Sequence, residues 1–394
     1  MTISLTEIIA ALEAKANSTD SASSISDVLR LSIGSEAVSD GAIIYDSAGV
    51  LPAGTDWIGT IAATSDGTLY VYDQYDGWIS SMQRSPFVYQ GDAYGYSVGG
   101  RSSPSTNGRR IEKISFTSDA NATNIGGNKF PVERGNGAGA SSRTTAYTMG
   151  YYRVPANTES IFKFPFASEN DVVNTIGELT AASSRSAGTN NEFYGYKSGG
   201  RNIPAFPPSL NLIEKFNFST EADTTDAGDL TRLVINPTGQ SSETHGYTSG
   251  GQTTPPEPSA SQNIIDKFPF AADANATDVG DISGSPGYYI SACGQSSTTH
   301  GYFTGGSNPA IQNVIQKFSF STDGNSTDVG DMTQVHVQST GLSSTASGYR
   351  AGGQSGSSPA YYNSIDKFPF ATDANGTDVG DLTTFQFNAS GNQV

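Results

Sequence analysis

One short phrase recurs six times along this chain, about every fifty residues. The clearest copies are Ile265-Asp266-Lys267-Phe268-Pro269-Phe270-Ala271 and Ile365-Asp366-Lys367-Phe368-Pro369-Phe370-Ala371, with relatives beginning at Ile111, Ile161, Ile213 and Ile315. Its lysines fall at Lys113, Lys163, Lys215, Lys267, Lys317 and Lys367, at intervals of 50, 52, 52, 50 and 50. A near-constant period of this size means one supersecondary unit repeated, which decides the architecture before any single residue is considered.

Each unit has the same grammar. Gly-Tyr-x-x-Gly-Gly comes first, at 95–100, 195–200, 246–251, 301–306 and 348–353, with a degenerate copy at Ala146-Tyr147-Thr148-Met149-Gly150-Tyr151. A variable Ser/Pro/Asn-rich loop follows, then the Ile-x-Lys-Phe-x-Phe strand, whose two-residue period puts Phe268 and Phe270 on one face and Ile265 and Lys267 on the other. The first unit carries Ile114 where the others have the first Phe. Next comes a turn such as Asp273 to Asp281, and then a further strand, for example Thr333 to Ser339, leading to a Ser-Ser turn and the next Gly-Tyr. About four short strands in fifty residues is the content of one propeller blade. The expected fold class is all-β: a six-bladed β-propeller over residues 86–394. The Gly-Gly pairs are expected near the central axis, where side chains would collide, and the aromatics between blades. The last unit stops early and the first starts late, so a C-terminal strand at 384–391 is expected to close the first blade and shield two sheet edges.

The pattern of a di-glycine after a short apolar strand, a variable loop and an aromatic-bearing strand resembles the kelch repeat family over about residues 86 to 394. It departs from that family where a tryptophan usually follows; here the Asp/Asn/Thr/Gly turn takes the place. The longer phrase running from Lys367 to Leu382, Lys-Phe-Pro-Phe-Ala-x-Asp-Ala-Asn-x-Thr-Asp-Val-Gly-Asp-Leu, resembles repeats in structural proteins of marine bacteriophages, especially those of cyanobacteria. That resemblance implies a virion location, on a tail or capsid surface.

Residues 1–85 read differently, as a small α+β module. Thr6 to Glu13 has the pattern of a short amphipathic helix, with Ser4 as N-cap and Glu7 completing a capping box; Ser24 to Leu31 is a second candidate. Strand-like runs follow at 42–45, 58–62 and 68–72, and Ser65 to Trp78 reads as a hairpin. The phrase Tyr70-Val71-Tyr72-Asp73, with Gly77-Trp78 after it, resembles small β modules of phage fibre and appendage proteins. The expected role is attachment to other virion proteins or oligomerisation, against the plain alternative of a small folded extension.

Charge narrows the partners. Lys+Arg total 21 against 38 Asp+Glu, a formal net charge of -17, which argues against nucleic acid and anionic membrane surfaces, since both need a basic footprint. No apolar run reaches the roughly 18 residues of a membrane span, and the N-terminus lacks the features of a signal peptide. Cys293 is the only cysteine, so neither a disulfide framework nor a cysteine metal cluster is available. No P-loop, dinucleotide fingerprint or zinc-protease motif occurs, and the chain is expected not to be an enzyme.

Two sets of residues stand out as candidate sites. The acidic turns place alternating oxygen donors around a glycine, as a calcium loop does: Asp273, Asn275, Asp278, Asp281; Asp323, Asn325, Asp328, Asp331; and Asp373, Asn375, Asp378, Asp381. The rival reading is that these side chains cap the turn's own backbone, with no cofactor at all. His245 and His300 precede Gly-Tyr at equivalent places, but Tyr94, Thr145, Tyr194 and Ser347 fill that slot elsewhere, so no chemistry needs imidazole there. The loops after Gly-Gly vary while the framework repeats, the plan of a binding module. Within or beside them Arg101, Arg201, Phe206, Tyr361 and Tyr362 are candidate contacts. The resulting expectation is a non-enzymatic virion protein present in many copies, or as a homo-oligomer, that attaches to a host surface glycan or protein. A decoration or adaptor protein and a carbohydrate-active enzyme are the alternatives.

Overall fold

The computed structural model describes residues 44–45, 61–64, 69–73, 77–80 and 89–394, apart from 102–109, 127–134, 136, 154–155, 168–173, 204, 206, 255–259, 284–289, 309 and 357–360. The chain divides into two compact units, Met1–Pro86 and Phe87–Val394. In the first, strands Ile44–Tyr45, Ile61–Thr64, Leu69–Asp73 and Gly77–Ser80 form one sheet in chain order. Pairing of Tyr72 with Trp78 and Asp73 with Gly77 makes the expected hairpin. The helices expected at 6–13 and 24–31 lie outside the described residues.

The second unit is a six-bladed β-propeller of six four-stranded antiparallel sheets, and among the described residues it contains no helix. Blade four is representative, with strands Thr238–Ser241, His245–Ser249, Ile264–Pro269 and Thr277–Asp281 from the axis outward. Blade one is completed by Phe387–Gln393, which pairs with Tyr94–Arg101 in the register Ala389↔Gly99 and Gly391↔Ser97. The closing strand thus lies about three residues later at its start than the sequence suggests. A larger shift in the same direction holds inside the ring: 333–339 is mostly an irregular connection, and the inner strand of blade six is Thr340–Ser343.

A second correction concerns the glycines at the axis. A Cβ built on Gly139, Gly188, Gly239, Gly294, Gly341 or Gly391 would lie 2.1–2.3 Å from the carbonyl oxygen of the equivalent glycine one blade back. These six inner-strand glycines, not the Gly-Gly pairs, form the tight axial ring. The Gly-Gly pairs end the second strands, where positive φ is required, as at Gly250 (65°) and Gly251 (88°).

Two residues further along in each blade, a second ring closes through side chains. The backbone N–H of Ser141 donates to Asn190 Oδ1, Asn190 to Ser241 Oγ, Ser241 to Ser296 Oγ, Ser296 to Ser343 Oγ, Ser343 to Gln393 Oε1, and Gln393 back to Ser141 Oγ. Every blade therefore gives and receives one buried hydrogen bond, which satisfies backbone groups that would otherwise be costly near the axis.

Between blades the packing is aromatic, as the sequence pattern implies. The tyrosine of each Gly-Tyr packs on the two phenylalanines of the next blade: Tyr247 lies 5.4 Å from Phe318 and 4.8 Å from Phe320, and Tyr302 lies 5.4 Å from Phe368 and 4.9 Å from Phe370. At the closing interface Tyr349 stacks on Phe116 at 4.8 Å, with Ile114 filling the place of the missing phenylalanine. Each such ring pair adds about 0.5–1.5 kcal/mol beyond area burial.

Candidate functional site

The acidic turns are the first candidate, and the first three side chains of each have a structural partner. The leading carboxylate pairs with the repeat lysine of the preceding blade: Asp273 with Lys215, Asp323 with Lys267 at 2.9 Å, Asp373 with Lys317, and Asp119 with Lys367. The asparagines accept from the preceding blade's backbone, Asn275 from Asp229 N–H, Asn325 from Asp281 N–H and Asn375 from Asp331 N–H. Asp278, Asp328 and Asp378 cap their own turns at Gly280, Gly330 and Gly380. The main chain of Asp281, Asp331 and Asp381 takes the remaining bonds: their carbonyls accept from Ser326, Gly376 and Ala122. The turns are clips between blades more than caps on themselves. Among the described residues no three His, Cys, Asp or Glu side chains converge as metal ligands.

A layer that the sequence reading left unassigned is the second position of Ile-x-Lys-Phe. Glu112, Glu214, Asp266 and Asp366 are fully buried there. Glu214 meets Lys197 at 2.8 Å, Asp266 meets Arg232 at 2.6 Å, and Asp366 meets Arg350 at 2.6 Å. The threonine after each Gly-Asp-Leu or Gly-Asp-Met turn reaches across from the preceding blade, Thr231 to Asp266 and Thr333 to Asp366. Burial pushes the Asp266 carboxyl up against the pull of Arg232, whereas at Glu214 the Lys197 charge and three hydrogen bonds overcome burial and hold it low. These are structural charges, closed off from solvent. His336 is likewise buried, its Nδ1 2.9 Å from Ser339 Oγ, with burial and then Arg350 holding it well below its ordinary value. His245 and His300 do share one slot: each starts a second strand, with Nδ1 2.8 Å from the preceding threonine hydroxyl.

The remaining candidates lie on the face where the Gly-Gly segments end. Residues leading into the inner strands, Arg185, Asn236, Ser291, Gln338 and Asn388, all have φ between 55° and 60°. That is the left-handed region, which costs energy in non-glycine residues and is worth examining for function. Their main chains link head to tail: Asn236 N–H donates to Arg185 O, Ser291 to Asn236 O, Gln338 to Ser291 O and Asn388 to Gln338 O. The five side-chain positions surround a cavity of about 100 Å³ at the channel mouth. Behind it the axial cavity, of about 120 Å³, is lined by the ring glycines and Tyr89.

Around this mouth runs a second circle, the residues that follow Gly-Gly: Arg101, Tyr152, Arg201, Gln252, Ser307 and Gln354. Strand pairing and single bridges hold them beside the inner circle, Arg101 opposite Phe387, Arg201 opposite Ser184, Gln252 opposite Ile235 and Gln354 opposite Val337. The charged members gather in blades one to three. Arg101 lies 5.9 Å over the Tyr152 ring, and its Cγ is 3.5 Å from where a side chain on Gly135 would begin, beside Asn388. Burial, then the cations of Arg201 and Arg101, lower the Arg185 guanidinium below its ordinary value. Among the described residues no carboxylate pairs with Arg101, Arg185 or Arg201, and Arg201 Nε is buried without a partner.

Tyr361 joins this area by stacking on Phe387 at 5.1 Å, next to Arg101 in the ladder. Phe385, two residues before, is 46% exposed. Tyr362 plays a different part: its ring covers the buried Arg350 at 5.7 Å. Phe206 lies outside the described residues. Sequence reasoning thus singled out Arg101, Arg201 and Tyr361 but missed Arg185, Tyr152 and Phe387. The signal was the column of unlike residues, Arg185, Asn236, Ser291, Gln338 and Asn388, set in an otherwise repeating frame. No protein-family model and no curated protein matches the chain.

Proposed function

We propose that the propeller is a non-enzymatic binding module of a phage virion, on a tail or capsid-surface appendage, and that its Gly-Gly face contacts the host surface. The observation that carries the binding assignment is the contrast within one repeat. The clips between blades recur almost unchanged, Tyr on Phe, Lys to Asp and Thr to buried carboxylate, while both circles at the channel mouth differ from blade to blade. A scaffold kept constant with one divergent face is the plan of a recognition module. The virion assignment rests on the phage-like phrase at 367–382 and the appendage-like phrase at 70–78. In this reading residues 1–85 join other virion proteins, and many copies per particle multiply weak contacts.

The test is adsorption of particles carrying substitutions at Arg101, Tyr361 and Phe385. Loss of adsorption with normal assembly supports the proposal. Unchanged adsorption with altered particle stability points to a decoration or adaptor protein instead. Immunogold labelling with antibody to residues 86–394 should mark tail tips or fibres, and particles without label would overturn the virion assignment.

A further inference from the structure

We infer that Arg101, Arg185 and Arg201 at the channel mouth, with the Tyr361–Phe387 pair beside them, form a site for an anionic saccharide, one bearing carboxylate or sulfate groups. This rests on the reading of the Gly-Gly face as the binding face and names its ligand class.

The arrangement stands out against the rest of the molecule. In a chain of net charge -17, Arg101 of blade one and Arg185 and Arg201 of blade three stand at a single opening. Elsewhere cations are spoken for: Lys163, Lys197, Lys215, Lys267, Lys317, Lys367, Arg143, Arg232 and Arg350 each meet a carboxylate. The acidic turns that take most of the lysines lie at the opposite ends of the strands, since they join the third and fourth strands. Among the described residues the mouth therefore offers positive charge without a built-in counter-ion. Guanidinium groups suit planar or tetrahedral oxyanions, because their fork of N–H donors can bond two oxygens at once.

Placement of the aromatics argues for a sugar over a free inorganic ion. Phe387 occupies the strand position paired with Arg101, and Tyr361, bridged to Gln354, stacks on it, with exposed Phe385 close by in sequence. Tyr152 lies under the Arg101 guanidinium. An apolar ring face adjoining an anion site matches a molecule with a C–H face and a charged substituent. The backbone at Arg185 holds φ 58°, which fixes where its side chain leaves the ring. The other half of the mouth, with Asn236, Ser291, Gln338, Gln252 and Gln354, offers hydroxyl-matching donors and acceptors.

The experiment is binding of the full chain to polygalacturonate, dextran sulfate and neutral dextran by isothermal titration at two salt concentrations. Variants are Arg101→Gln, Arg201→Gln and Arg185→Gly, the last keeping a residue at ease with positive φ. Arg143→Gln, at the opposite ends of the strands, is the control, and thermal melts check that each variant folds. Binding to polygalacturonate that drops at least about tenfold in each arginine variant, and not in the control, supports the site with a carboxylate ligand. The same result with dextran sulfate supports it with a sulfate ligand. No binding to either polyanion, or binding indifferent to all three variants, overturns it. Host-cell binding measured in parallel separates the two claims. Cell binding that survives Arg101→Gln, Arg201→Gln and Arg185→Gly combined in one chain sinks the anionic ligand and leaves the binding face standing; wild-type protein that binds no host surface sinks the face as well.

Discussion

Lys367 and Asp119 stand 248 positions apart in the chain, and Nζ of the first lies 2.5 Å from Oδ1 of the second. The contact is the same one that joins Lys267 to Asp323 inside the ring, so the closing interface between blades six and one copies the interior ones. Its energetic weight is small all the same, because Asp119 is half exposed. Lys367→Ala is expected to cost under about 1 kcal/mol and to matter less in high salt. The buried pair one residue away behaves oppositely. Asp366→Ala leaves Arg350 charged, fully buried and without its carboxylate, at an expected cost of about 3–5 kcal/mol. Urea denaturation of the two variants, with and without 1 M NaCl as an order-of-magnitude high-salt condition, checks both statements.

The axial glycine ring sets a sharper limit. A methyl on Gly188 would lie 2.2 Å from Gly139 O, a backbone atom with nowhere to retreat, since the same contact recurs in every blade. Gly188→Ala and Gly341→Ala are expected to lose about 3 kcal/mol or more, at or beyond the upper end of ordinary overpacking. Gly135→Ala, whose nearest neighbours would be at 3.5–3.7 Å, should be close to neutral. Midpoints of thermal unfolding for the three variants decide the matter.

Acid sensitivity should trace to His336. In the fold its imidazole is held neutral by burial and by Arg350, so its folded pKa lies below its unfolded value of about 6.5. As pH falls past that value the unfolded chain takes up a proton first. Stability is therefore complete above about pH 6.5 and declines below it, by up to about 1.4 kcal/mol per pH unit for this one group. His245 and His300 are shifted in the same direction by burial and by Lys267 and Lys317 respectively. His336→Asn is expected to be less stable at neutral pH but to show a shallower decline between pH 6.5 and about 5, measured by denaturation across that window.

Calcium should do little. The first three side chains of each turn are committed to a lysine and a backbone N–H of the neighbouring blade and to a backbone N–H of their own turn. Adding millimolar calcium or a chelator is expected to shift the melting midpoint by less than about 1 °C, since only a ligand that binds the folded state raises it. A rise of several degrees would restore a metal role to Asp273, Asp323 and Asp373.

The ring itself was legible because its signals are local and repeated. Gly-Tyr, Phe-x-Phe and the fifty-residue period lie within each unit, and Tyr247 meeting Phe318 and Phe320 only carries that grammar one blade further. The axial glycines were not legible: a lone glycine in a short Ser/Thr strand looks ordinary, whereas the conspicuous Gly-Gly pairs serve positive φ at strand ends. The buried carboxylates were hidden for a related reason. Alternation puts Asp266 on the face of Phe268 and Phe270, where a carboxylate has no evident local partner, and its partners Thr231 and Arg232 belong to another unit. At the candidate site Arg101 and Arg201 could be singled out as loop cations, whereas Arg185 is brought beside Arg201 only by the bridge between Ser184 and Arg201.

That closure also has a consequence in time. Strand Phe387–Gln393 supplies the axial glycine, Gly391, and the hydrogen-bond acceptor, Gln393, that complete blade one. During synthesis, blade one emerges with its inner edge unpaired and stays so while the other five are made. An unpaired strand edge is an invitation to pair with a neighbouring nascent chain. Chains that stall on the ribosome before residue 387 would be unfinished molecules with a sticky end, and the fold is in this sense a post-translational event.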